Sequence, residues 1–370
     1  MKKIIVTGMY RSGTTLIQKI LDCHPNINLI NHGVFSFFKI LDSKYLNENI
    51  FLKDRLLGFY NYTQYDSYKT LFKNIYFNKI DTEIFLKGIH NEIKTDNKLG
   101  NPSHPTIEWF NLLKDIIKEG QAHEILDNII KTINKYRKKN CNNIIYSGFK
   151  ELNIEQFLES LVNEYGNNVK MVQVIRDPRS ILASRNYSEN FILTRGGRKL
   201  HSLYFIAQMW KTSIFYKYFL TNHYPETFLS IYYEDLVRDT DNEIKKICDF
   251  LSIDFMPKLL NYTNYKDEKG NNWKANTSFE QKKGFDTTSI QKWKNIIPKK
   301  VIGAFEFMCH HEMRIEGYCP ITDKENMFKA FLKYEDENDK IKKWSFQFNL
   351  ILDSEQKKKE ILRNCLLTAK

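Results

Sequence analysis

The stretch Lys3-Ile4-Ile5-Val6-Thr7-Gly8-Met9-Tyr10-Arg11-Ser12-Gly13-Thr14-Thr15-Leu16 decides how the chain folds. A short run rich in β-branched apolar residues ends at a glycine, which reads as a buried strand. Residues 14–22 follow with Leu16, Ile17, Ile20 and Leu21 on one helical face, and His24-Pro25 stops the helix. Gly8 and Gly13 carry the G-x-x-x-x-G spacing of a phosphate loop. In such a turn backbone N–H groups point inward and the following helix adds partial positive charge, so an oxyanion is held without a dedicated side chain. A phosphate loop that hydrolyses nucleoside triphosphates places Lys after the second glycine. This chain has Thr14 there, and its cation, Arg11, sits inside the loop.

Outward from this turn, Ile27–Ile30 is expected as a second strand, so the chain opens strand–loop–helix–strand, the start of a parallel sheet. Residues 34–142 are mostly helical in pattern. Eight rings between Phe59 and Phe77 read either as core packing or as an acceptor-binding lid. Further strands are expected at Ile144–Phe149, Val169–Ile175 and Thr227–Tyr232. Asn153, with Gln156 three residues on, reads as a helix cap. Helices are expected from about 179, over about 200–222, from Ile244 to Leu251 and from Lys299 to His311, with a polar loop over 262–290. The expected fold is α/β: a P-loop-like central parallel β-sheet flanked by helices, with a helical insertion and a helical C-terminal extension. Residues 1–320 form the main domain, 34–142 its acceptor-side insertion and 321–370 the extension.

The chain has 370 residues, 42% of them hydrophobic, enough for a packed core, and a formal net charge of +12. Its lysines are spread rather than gathered in one run, so charge alone names no polyanionic partner. Neither a recognition helix nor an RNA-binding aromatic signature is present, and no nucleic-acid partner is expected. Six cysteines, none in a C-x-x-C pair, suit reduced thiols, and no His/Cys spacing suggests a metal site. The apolar run at Ile4–Val6 is too short for a signal peptide, and no run approaches a membrane span. A cytoplasmic location is therefore expected. The basic surface is compatible with peripheral membrane contact, and the C-terminal extension with an oligomer.

A second motif, Val174-Ile175-Arg176-Asp177-Pro178-Arg179-Ser180, leaves a strand and enters a helix, with Ser184 eight residues after Arg176. An arginine at a strand end can fork two N–H bonds onto a phosphate. With these two motifs in this order the chain resembles the sulfotransferases that use 3′-phosphoadenosine-5′-phosphosulfate (PAPS). Arg11-Ser12-Gly13-Thr14-Thr15-Leu16 is similar to their 5′-phosphosulfate loop, and Leu21-Asp22-Cys23-His24-Pro25 to the tyrosylprotein and Golgi-type carbohydrate branches. The resemblance implies a PAPS donor, 3′-phosphoadenosine-5′-phosphate (PAP) as product, and no metal. It implies that Arg176 and Ser184 bind the 3′-phosphate, and that Lys150 contacts the transferring group. Tyr233, in Tyr232-Tyr233-Glu234-Asp235-Leu236, is expected to touch the nucleotide. Thr277, Ser278 and Lys292 are expected to close over it.

The tyrosylprotein branch carries a glutamate base that falls in register on His32, in Asn31-His32-Gly33. Histidine is a sound substitute, because its ordinary pKa suits base work near neutral pH. His32 is thus the expected base, with Arg11 and Lys150 steadying the sulfuryl group and the leaving phosphate. Losing that carboxylate argues against a peptide-tyrosine acceptor and leaves a glycan, a lipid-linked sugar or a small molecule. The competing readings are a P-loop kinase or NTPase, which requires Lys at position 14, and a non-catalytic protein that binds PAP or nucleic acid.

Overall fold

The computed structural model describes residues 1–48, 69–99, 105–137, 143–187, 202–273, 285, 287–335 and 354–368. They fall into two compact units. The first comprises Met1–Ile175, Tyr216–Asn276 and Gln281–Phe285, and the second Arg176–Phe215, Thr277–Glu280 and Asp286–Lys370.

The first unit is built on a parallel sheet. Its strands are β1 (Lys2–Gly8), β2 (Ile27–Asn31), β5 (Tyr146–Lys150), β6 (Val169–Ile175) and β7 (Phe228–Tyr232), in the order β2-β5-β1-β6-β7. The two-residue strands β3 (Tyr76–Phe77) and β4 (Gly120–Gln121) pair separately and antiparallel. The register sets Val6 opposite both Lys150 and Val172, so β1 lies at the centre with a neighbour on each side. Strands covered on both faces read as continuous apolar runs, and Ile4, Ile5, Val6, Val172 and Val174 are all buried. Helix α1 (Thr14–Asp22) closes one face through Ile17, Ile20 and Leu21, which share a core with Ile231, Leu236 and Ile244.

The first connection runs from β1 over β5 to β2, whereas the chain later crosses to the opposite side of β1 for β6 and β7. In open parallel sheets ligands lie outside the carboxyl ends of the strands, where the winding reverses. Gly8, Asn31, Lys150, Ile175 and Tyr232 are those ends.

The region expected to be helical contains Phe35–Glu48 (α2), Leu71–Asn74, Lys79–Leu99, Ile107–Ile116 and Ala122–Arg137. Of its rings, Phe72 and Phe77 are buried against Phe37, which favours the core-packing reading for those two; residues 59–68 lie outside the described residues. The cap expected at Asn153 is not formed. Asn153 adopts a left-handed φ of 53°, and its N–H donates to Gly8 O at 3.1 Å, tying the end of β5 back to β1. A 3₁₀ turn, Glu155–Phe157, follows instead, with Ile154 before it and no side-chain cap.

The second unit takes in the chain after β6 and everything from residue 287 onward, so it includes both the end of the expected main domain and the C-terminal extension. Lys299–Ile315 and Lys324–Lys333 are helical, as is Ser354–Thr368. The last of these packs within its own unit. Glu360 accepts from buried Lys211 and from Gln208, each at 2.6 Å, and Gln356 accepts from Tyr204 at 2.9 Å.

Candidate active site

The loop after β1 has the backbone form that suits an anion. Gly8 (φ 140°) and Gly13 (φ 105°) turn the backbone, and Arg11 itself adopts φ 66°. A side chain at Gly13 would collide with the Tyr233 ring, since a Cβ there would lie 2.4 Å from Cδ2. Tyr233, the first residue after β7, therefore packs closely against the loop. Gly13 stands at the N-terminus of α1 with no side-chain cap. The buried Ser12 hydroxyl has no hydrogen-bond partner among the described residues. An uncapped helix start and an unsatisfied buried donor are what a bound oxyanion would complete. Thr14 is buried beside them.

At the neighbouring strand ends, Lys150 closes β5 and His32 follows β2. The two are fastened by the His32 N–H, which donates to Lys150 O at 3.0 Å. His32 holds a left-handed φ of 63° and Gly33 a φ of 90°, which swings the imidazole back over β5. Backbone of this kind in a non-glycine residue costs on the order of 1–3 kcal/mol and tends to gather at functional sites. Here it is fixed by packing: a Cβ on Gly33 would meet Trp109 and Pro105, and Trp109 Nε1 donates to Gly33 O at 3.3 Å.

Three side chains then form a line. Lys150 Nζ lies 2.6 Å from His32 Nε2, and His32 Nδ1 lies 3.1 Å from Glu151 Oε2. The other oxygen of Glu151 accepts the Val34 N–H at 3.0 Å. Burial penalises the Lys150 ammonium and Arg11 and Lys19 repel it, which together outweigh attraction by Glu151 and push its pKa down to about 7. Burial would raise the Glu151 pKa, but His32, Lys150 and the Val34 N–H overcome it and hold the carboxyl below its ordinary value. Glu151 and Lys19 were not singled out in the sequence. A carboxylate directly after a strand-ending lysine was the available signal for the first. Lys19 gave none, as a lysine on an amphipathic helix reads as solvated. It is in fact buried, with its Nζ 3.0 Å from Glu268 Oε1.

The second unit carries the other expected motif. Arg176 follows β6 directly and is buried; one of its Nη groups donates to Ser289 O at 3.3 Å, and its own carbonyl accepts from Trp210 Nε1 at 3.0 Å. Asp177 caps the short helix Pro178–Leu182 by accepting from the Arg179 N–H. Arg179 is fully engaged: its guanidinium pairs with Asp177 at 2.8 Å and Glu306 at 2.8 Å, and lies 4.0 Å from the centre of the Trp293 ring. Of the two arginines in the motif, Arg179 is thus structural. Ser184 is buried too, but it lies in a π-helical stretch, Ala183–Tyr187, rather than in a continued α-helix. The wider turn changes the direction in which Ser184 leaves the backbone, and such bulges recur at functional sites.

Lys292, in the second unit, precedes the helix Trp293–Ile296 and is partly buried. Thr277 and Ser278 lie outside the described residues. Arg11, Ser12, Gly13, Thr14, Thr15, His32, Lys150 and Tyr233 belong to the first unit; Arg176, Ser184 and Lys292 belong to the second. Among the described residues no group of three or more His, Cys, Asp or Glu side chains could hold a metal ion. No helix among them is long and apolar enough to cross a membrane.

Residues 1–317 match the family model described as the sulfotransferase domain. The chain is 27% identical over 168 residues to sulfotransferase 2A1 of Rattus norvegicus, covering 40% of this chain and 58% of that one. It is 22% identical over 197 residues to carbohydrate sulfotransferase 1 of the same organism, covering 49% of this chain and 46% of that one. The chain thus spans less than two thirds of the length of these relatives. Among solved structures, a sulfotransferase domain from the curacin biosynthetic pathway aligns with a TM-score of 0.42 at 16% identity, covering 80% of this chain and 92% of that one. With the family model matched along most of its length, the chain belongs to the sulfotransferase-domain family.

Proposed function

We propose that the chain transfers a sulfuryl group from PAPS to a hydroxyl or amine of a small-molecule, glycan or lipid-linked sugar acceptor, releasing PAP. The observation that carries this reading is Lys150. It is a cation buried at the carboxyl end of a central strand, beside a phosphate-type loop and 2.6 Å from an imidazole. Its charge is disfavoured by burial and by two neighbouring cations, so an arriving polyanion relieves the site. The uncapped start of α1 and the buried Ser12 hydroxyl suit the 5′-phosphosulfate. Arg176 and Ser184 are the proposed ligands of the 3′-phosphate, and Tyr233 lines the loop.

In the transfer, the acceptor oxygen forms a bond to sulfur while the bond from sulfur to the 5′-phosphate oxygen breaks. The leaving phosphate keeps that electron pair. His32 Nε2 takes the acceptor proton, and Arg11 and Lys150 neutralise charge on the sulfuryl oxygens and the leaving group. Because Lys150 engages Nε2 in the structure, its ammonium must turn toward the donor before the imidazole is available to the acceptor. A kinase or NTPase reading lacks its lysine, since position 14 is threonine.

The test is PAP release from PAPS across sugar, lipid, phenol and amine acceptors, with wild-type protein and His32→Ala. Acceptor-dependent PAP release by the wild type supports the function, and its absence with every acceptor class counts against it. A loss of about 10²- to 10⁴-fold in kcat with PAP binding retained identifies His32 as the base; normal turnover by the variant removes it from that role.

A further inference from the structure

We infer that Glu151 is a positioning residue that fixes the tautomer and aim of His32, forming with it a carboxylate–imidazole dyad. The inference rests on the reading of His32 as the base.

The geometry fixes the protons. Val34 N–H can only donate, and it donates to Glu151 Oε1 at 3.0 Å. The remaining oxygen, Oε2, can only accept while the carboxylate is ionised, so the His32 Nδ1 at 3.1 Å must carry a hydrogen. That leaves Nε2 with its lone pair, and Nε2 is the nitrogen facing Lys150 at 2.6 Å. A charged lysine there offers only donors and matches an accepting Nε2, whereas a neutral amine can also accept, so it is the Glu151 carboxylate that sets the Nδ1–H form, which presents Nε2 as a base. When Nε2 takes a proton, the adjacent carboxylate stabilises the resulting imidazolium, as a buried carboxylate does for other catalytic histidines. Glu151 is held firmly enough to orient the ring. It is wholly buried, and its N–H donates to Val6 O at 3.0 Å, on the central strand.

Glu151→Gln tests this with almost no change of shape. The Val34 N–H demands the amide oxygen, so the amide NH₂ is forced toward Nδ1. The imidazole must then carry its hydrogen on Nε2, where it cannot accept a proton. Expected is a fall of about 10²- to 10⁴-fold in kcat, with KM and PAP affinity within about threefold of wild type. In a His32→Ala background the same substitution should change kcat less than about twofold, because residues that act as a unit are not additive. Glu151→Asp, which restores a carboxylate, should recover part of the loss.

A Glu151→Gln enzyme with near-normal kcat, where His32→Ala is inactive, overturns the dyad and leaves the base reading intact. Turnover that survives His32→Ala sinks the base reading instead. Should Glu151→Gln fail to fold, histidine ¹⁵N NMR of the wild-type protein at pH 8 decides the matter. A hydrogen on His32 Nδ1 supports the dyad, and a hydrogen on Nε2 refutes it.

Discussion

Lys150 Nζ and His32 Nε2 stand 2.6 Å apart across the ends of two adjacent parallel strands. In the proposed reaction each must leave the other to act: the lysine to meet an anion, the imidazole to meet an acceptor. Under that proposal the pairing couples the two halves of the reaction, because a donor whose charge draws the ammonium away frees the imidazole to serve as the base. The parallel register sets this up, because it places Asn31 opposite Lys150, and the next residue along the chain is His32.

The depressed Lys150 pKa, about 7, sets a pH dependence for nucleotide binding. Above that pH the lysine is mainly neutral in the free protein. A bound polyanion stabilises the ammonium, so the complex holds more protons than the free protein, and affinity rises as pH falls from about 9 toward 7. The limit is about tenfold in Kd per pH unit for one linked proton. Titration calorimetry of PAP at pH 8.5 in buffers of different ionisation enthalpy should show proton uptake, and Lys150→Met should abolish both the uptake and the slope. A PAP affinity that is flat over this range contradicts the assignment.

Arg176 and Arg179 are expected to behave differently despite sharing one motif. Arg179 is occupied by Asp177 and Glu306, so its loss should lower stability more than ligand affinity. Breaking such a buried pair typically costs about 3–5 kcal/mol. Arg176→Ala should weaken PAP by at least about tenfold, in keeping with the strength of a charge-assisted phosphate contact. Binding of adenosine 5′-phosphate, which lacks the 3′-phosphate, should be unchanged. Equal losses for the two nucleotides would place Arg176 away from the 3′-phosphate.

The strands and α1 were legible because a sheet covered on both faces leaves unbroken apolar runs, and Val169–Ile175 appears with the boundaries expected. The places of the loop and of Lys150 at strand ends were legible for a related reason, since each directly follows such a run, whereas His32 came from the register of the resembling family and not from its own surroundings. Asn153 misled because a capping-box pattern is local, whereas its N–H is used by Gly8 O from another strand. Glu151 gave a residue type but not a partner, since its link to His32 spans 119 positions that only the strand order brings together. Lys19 was hidden similarly, because its ion-pair partner Glu268 lies in a polar segment that reads as loop.

That ion pair supports a stability prediction. Glu268 accepts from Lys19 at 3.0 Å and pairs with Arg137 at 3.1 Å, while Arg137 also pairs with Asp22 at 3.2 Å. Glu268 and Lys19 are buried, so Glu268→Ala leaves two cations without their shared carboxylate. The expected loss is about 3–5 kcal/mol, read as a lower urea midpoint. Replacing Lys19 by Met together with Glu268 by Leu should cost much less, because the lysine is then no longer stranded and Arg137 keeps Asp22. A double variant as unstable as Glu268→Ala would show that packing at this site, not charge, dominates.

The loop glycine offers a test of how closely Tyr233 and the phosphate turn are fitted. Gly13→Ala meets two separate obstacles: a φ of 105°, which L-residues rarely adopt, and a Cβ only 2.4 Å from the Tyr233 ring. Strain of the first kind is on the order of 1–3 kcal/mol, and the collision adds to it by displacing the ring or the turn. Gly13→Ala should therefore lower the thermal midpoint and weaken PAP more than about tenfold. Tyr233→Ala removes only the collision. The double variant should regain part of the lost stability relative to Gly13→Ala, whereas PAP affinity should stay low because the backbone strain persists in the turn proposed to hold the anion. If the double variant were no more stable than Gly13→Ala, the ring contact would not be the obstacle, and backbone conformation alone would account for glycine at this position.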